Sequence, residues 1–149
     1  MRLDPKAPVR SSASRILRVL AEDLFLLGRA SLSSTEPTRL HGLRRTLKRL
    51  RDSMLLFEKL YGARMRDYLA ILVEAQDKLG YLQDLAAVRT VVSKRPAGID
   101  HTPLIEALDL ESAFKVQEFH EFWKQRFGSE SQMRRWTSFL GQFEGDEAG

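Results

Sequence analysis

Cysteine is absent from the chain, so disulfides and thiolate metal sites are excluded. Long apolar runs are absent too. No stretch approaches the roughly 20 residues of a membrane span, and the opening MRLDPKAPVRSS lacks the apolar core of a secretory signal. Both absences point to a cytoplasmic protein with no membrane span. There is no glycine-rich phosphate loop and no nucleophile motif, so an enzyme is not expected. No segment alternates with the period of two that marks strands. Acid is missing from one place: between Glu36 and Asp52 there is no Asp or Glu, while six Arg or Lys fill the interval.

What is present is ordinary for a single globular domain spanning 1–149. Hydrophobic residues make up 43% and charged residues 30%, enough of each for a core and a solvated surface. The net charge is +4. Residues 39–51 alone contribute +6, so the remainder sums to −2. A basic excess confined to one segment points to an anionic partner more than a diffuse excess would.

The pattern predicts an all-α chain: an antiparallel four-helix bundle with a short C-terminal helix. Residues 1–11 read as an extended lead-in, with Ser11, Ser12 or Ser14 capping a helix over about 13–31. Ile16, Leu17, Leu20, Leu24 and Leu27 form its apolar stripe. A second helix runs over about 38–61, with Gly62 as its stop. A third, over 64–93, uses Leu69, Leu72, Val73, Leu79, Leu82 and Val88, and Gly80 weakens it by about 1 kcal/mol relative to Ala. After KRPAGIDHTP, a fourth spans 103–127, with Leu104, Ile105, Leu108, Phe119, Phe122 and Trp123 for the core and Gly128 at its end. A short helix covers 130–143, and residues 144–149 form a disordered tail. The six acids between 100 and 121 are expected on a solvated outer face.

The second helix carries the question. With His41 at 0° and about 100° per residue, Arg44 falls near −60°, Lys48 near −20° and Arg51 near −80°. Arg45 and Arg49 take the other flank, near 40° and 80°. Leu43, Leu47, Leu50, Met54 and Phe57 gather around 180°, so the leucine face enters the bundle. The stripe is self-repelling, because like charges at i,i+4 cost a few tenths of a kcal/mol each. A merely solvated helix usually interleaves Glu with its Lys. Arg supplies planar, bidentate donors for phosphate oxygens, and His41 near the helix start lies close to free backbone N–H groups. Charge alone also allows a solvated face, an anionic membrane surface, an acidic partner protein or nucleic acid. The lack of aromatics between Leu40 and Leu56 makes single-stranded nucleic acid the weaker option.

The spacing H-x-x-R-x-x-x-K-R-L-R, His41 to Arg51, followed by an apolar run to Phe57, resembles the signature of the CHAD family, the conserved histidine α-helical domain. LGYLQDLAAV, residues 79–88, is similar to that family's L-G-x-x-x-D-L segment. The lead-in PVRSSASRILRVLAEDL is similar to the preceding helix. The resemblance implies non-catalytic binding of inorganic polyphosphate with no cofactor. The implied ligands are His41, Arg44, Lys48, Arg49 and Arg51, with Arg45 beside them. Asp84 is implied to orient or neutralise a basic residue, although a plain surface carboxylate reads equally well. CHAD proteins usually carry two such repeats, whereas this chain has one. The resemblance therefore implies a half-length member that rebuilds the cavity as a homodimer, or a fragment of a longer chain. Aromatic residues between 119 and 139 are expected to supply the apolar dimer contact. His101 and His120 have no partner at metal-ligand spacing, and Trp123 and Trp136 are expected in the core or an interface.

Overall fold

The computed structural model describes residues 7–32, 37–95 and 99–145. Among them there are helices and no strand: α1 (Ala7–Leu32), α2 (Pro37–Leu56), α3 (Glu58–Tyr61), α4 (Met65–Ser93), α5 (Thr102–Phe127) and α6 (Glu130–Leu140). The fold is all-α.

Several boundaries depart from the periodicity. Residues 1–6 lie outside the described residues, and the first helix spans Ala7–Leu32 and so takes in residues 7–11 of the expected extended lead-in. Pro8 does not block it, because a first-turn residue has no intrahelical N–H bond to lose. Ser11 and Ser14 are buried within the helix and are not its caps. The second helix breaks at Phe57, and the single turn α3 follows. That turn buries Tyr61, whose hydroxyl donates to the Leu140 carbonyl. Ser14 Oγ donates to Tyr61 Oη at 2.8 Å and accepts from Phe143 N–H at 3.1 Å. A polar chain thus ties α1, α3 and the end of α6 together inside the core. Gly62 stops α3 with φ of 80°, a region that favours glycine. α6 ends at Leu140 and not at 143.

The core is built from Leu17, Leu24, Leu43, Leu47, Leu50, Met54, Leu72 and Leu79, closed by Trp123, Phe127, Trp136 and Phe139. α2 and α4 run antiparallel, with Arg44 opposite Gln83 and Arg51 opposite Gln76. α4 and α5 do the same, with Arg89 opposite Asp109 and Lys78 opposite Glu118. α6 packs along α1, placing Trp136 against Phe25 and Glu144 against Arg18. Glu144 is therefore an ordered partner and not part of a loose tail. Residues 146–149 lie outside the described residues.

α1 meets α5 only over a short stretch. Trp123 faces Gly28, and Phe127 faces Phe25. By that register α5 before about Phe119 extends past the end of α1. The expected four-helix ring is thus open at this end, and α6 completes the packing at the other. The open end explains why Leu104 and Val88, both expected in the core, are exposed, and it also leaves Leu110 at 73% and Phe114 at 66%. Val73, likewise expected in the core, is exposed on a part of α4 outside that end. Ile16 is also exposed, on the outer side of α1. The acids of α5 are not merely solvated. Asp109 pairs with Arg89 at 2.7 Å, Glu111 accepts from Tyr81, and Glu118 pairs with Lys115 and Lys78.

Candidate functional site

The leucine face of α2 is fully enclosed: Leu43, Leu47, Leu50 and Met54 show no exposure. This fixes the opposite face outward. His41, Arg45, Lys48 and Arg49 are exposed, and Arg44 and Arg51 are half-buried where α2 borders α4. α2 begins at Pro37, so His41 stands in the second turn. The free N–H groups of the first turn precede it, and it is not a cap.

The basic residues divide into two groups. Arg44 donates through Nη1 to Gln83 Oε1, and Arg51 donates through Nη1 to Gln76 Oε1 at 3.3 Å. Both partners are neutral amides one face across on α4. They hold the guanidiniums in place without cancelling their charge, which a Glu at either position would do. The Arg44 Nε is shielded from solvent and has no acceptor among the described residues, so that edge keeps an unused donor. Arg44 and His41 border a cleft of about 300 Å³ between α2, α4 and α5, walled by Leu40, Leu79, Leu82 and Val116. Arg45, Lys48 and Arg49 form the second group. They flank a shallow groove with Asp52 and Ser53, and none of them makes an ion pair or side-chain hydrogen bond among the described residues.

Asp84 is exposed, with no ion pair or hydrogen bond among the described residues. The neighbouring Gln83 is the residue that meets Arg44. Neither glutamine was singled out by the sequence, because a neutral side chain some 25 to 39 positions away carries no charge signal. His101 precedes α5 and His120 lies within it, both half-buried, each with an Nε2 that finds no partner among the described residues. Burial, helped by Lys124, lowers the His120 pKa. Trp123 and Trp136 are both buried.

The aromatic residues expected at a dimer contact are not available for one. Phe119, Phe122, Trp123, Phe127, Trp136 and Phe139 all pack inside the domain, where α6 and the end of α5 close on α1. Exposed apolar side chains stand on the α4–α5 hairpin, Val88, Val91, Leu110 and Phe114 among them, and also on α1 and at the end of α2, where Leu26 and Leu56 are exposed. Among the described residues, no helix is long and apolar enough to cross a membrane.

No curated protein and no solved structure matches the chain significantly. The family model of the CHAD domain matches residues 2–93, which takes in α1, the basic helix and α4 with Gln76, Gln83 and Asp84. With its two basic arginines held by α4 inside that matched span, the chain belongs to the CHAD domain family.

Proposed function

We propose that this domain binds inorganic polyphosphate, without catalysis, along the basic face of α2. The carrying observation is that no ion pair among the described residues cancels the charge of the α2 cations from Arg44 to Arg51. Arg44 and Arg51 are held by glutamines, and Arg45, Lys48 and Arg49 stand free. Family membership supports the choice of ligand. A linear polyanion suits a row of cations about three turns, or roughly 15 Å, long, since Arg and Lys each take phosphate oxygens by charge-assisted hydrogen bonds. His41 adds a donor at the head of the row.

The binding form in this proposal is a homodimer, because one repeat supplies one basic helix. The apolar side chains of the α4–α5 hairpin are the surface it would use, and a bound polyanion would relieve repulsion between the two basic faces. Light scattering with and without polyphosphate tests this. A strict monomer that still binds tightly would remove the dimer and leave the ligand.

The ligand itself is tested by competition among polyphosphate, duplex DNA, heparin and an acidic peptide at fixed salt. Preference for polyphosphate is expected. Equal displacement by all four would reduce the face to general polyanion attraction, and preference for the peptide would replace the reading with an acidic protein partner.

A further inference from the structure

A second basic cleft, of about 270 Å³, lies at the end of the molecule where α4 begins, α5 ends and α6 passes. Three arginines from three helical regions converge on it: Arg64 just before α4, Arg126 in the last turn of α5, and Arg135 on α6. None of the three makes an ion pair with a described residue, and the nearby carboxylate Glu58 pairs with Arg66 at 3.7 Å instead. Asp67 also lines the cleft and leaves it a formal excess of two positive charges, which matches a phosphate dianion. Guanidinium groups are the side chains best suited to it, because each offers paired donors to phosphate oxygens.

The arginines are also positioned. The Arg64 guanidinium lies over the Phe139 ring, 5.6 Å from its centre. The start of α6 is fixed by a capping box: Ser129 Oγ accepts from Gln132 N–H, while Gln132 Oε1 accepts from Ser129 N–H at 3.0 Å. Gln132 also donates to the Gln125 carbonyl on α5. Arg135 stands one turn later on the same face of α6, so the box sets its direction. Tyr68 and Trp136 form the inner wall.

This cleft is separate from the α2 face. Arg64 precedes Gln76, the anchor of Arg51, by 12 positions along α4, or roughly 18 Å. Arg126 and Arg135 also lie outside the matched residues 2–93.

We propose that this cleft is a second anion site that takes a phosphate group, either free orthophosphate or the end of a polyphosphate chain. The test follows the indole N–H resonances of Trp136 and Trp123 in the full chain, during titration with orthophosphate and then tripolyphosphate at constant ionic strength. A saturable shift of Trp136 is expected, with Trp123 unmoved. Saturation by orthophosphate assigns free phosphate as a ligand, and a shift only with tripolyphosphate assigns the chain end. Arg64→Gln with Arg135→Gln should raise the midpoint about tenfold or more, the loss of two charge-assisted contacts. Arg126→Gln, which disturbs no ring contact, should raise it several-fold in a chain whose spectrum is otherwise unchanged. The Trp136 response should persist when Arg45, Lys48 and Arg49 are replaced by Gln, so failure of the α2 reading would leave this site standing. No saturable shift with either phosphate, a shift unaffected by all the arginine variants, or a response to polyglutamate alone would overturn the proposal.

Discussion

Gly28 on α1 lies directly beneath the Trp123 indole of α5: a β-carbon at position 28 would sit 2.0 Å from the ring. This contact lies in the short stretch where α1 meets α5, beyond which α5 leaves the cover of α1. Gly28→Ala must displace a buried tryptophan, which costs about 1–3 kcal/mol or more as overpacking. Gly80, in the middle of α4, has open space where its β-carbon would be. Gly80→Ala should stabilise by up to about 1 kcal/mol through helix propensity. Thermal melts of the two variants should therefore shift in opposite directions, and a stabilised Gly28→Ala would contradict the packing described.

Polyphosphate binding should depend most cleanly on the three unpaired cations. Replacing Arg45, Lys48 and Arg49 together with Gln should abolish or severely weaken binding while helicity by circular dichroism stays intact. If all three contact phosphates, the log–log salt slope of any remaining binding should fall by about 2, as for single-stranded polyanions. Arg44 and Arg51 are less clean targets, because their removal also breaks bonds to α4.

His41 is exposed, so His41→Ala should change stability by less than about 0.5 kcal/mol. Its effect should fall on affinity for polyphosphate instead. Denaturant unfolding and a binding isotherm on the same variant separate the two. A stability loss with unchanged affinity would assign the side chain a structural role.

The Arg18–Glu144 pair should make stability fall in acid. Arg18 Nε reaches Glu144 Oε2 at 2.6 Å, and Nη2 reaches Oε1 at 2.9 Å. The hydrogen bond from Arg18 holds the Glu144 pKa below its ordinary 4.5. A depressed folded-state pKa contributes stability above the unfolded value and loses it as pH falls through the folded one. Glu144→Gln should cost about 1 kcal/mol or less at neutral pH, given the partial exposure of both groups. The difference from the parent should close as the pH drops well below 4.5. A gap that persists in strong acid would mean that packing, not charge, holds this contact.

The parts of the fold that repeat within a helix were legible in the sequence. The leucine face of α2 follows from spacing alone, as does the stop at Gly128, whereas Gly62 ends the turn α3 and not the second helix, which breaks at Phe57. Relations between helices were not. Residues 7–11 read as part of an extended lead-in, because a proline's effect depends on which turn of a helix it occupies, and Pro8 stands in the first turn of α1. The exposure of Leu104, Leu110 and Phe114 depends on how far α1 reaches, which no local pattern encodes. The basic residues of α2 were visible, but their division into held and free depends on Gln76 and Gln83. Arg64, Arg126 and Arg135 were invisible as a group, because only the packing of α6 brings them together.

Because α1 stops short of the first turns of α5, those turns are backed chiefly by α4. Amide hydrogens over residues 102–111 and on the outer part of α4 should exchange with solvent through local opening, well before those of α1 or the inner half of α4. The domain is then graded in cooperativity along its long axis, with a persistent aromatic end and an end that breathes. The cleft beside His41 and Arg44 sits on the border between them, so occupancy of that cleft should be felt as slower exchange in the hairpin beyond it.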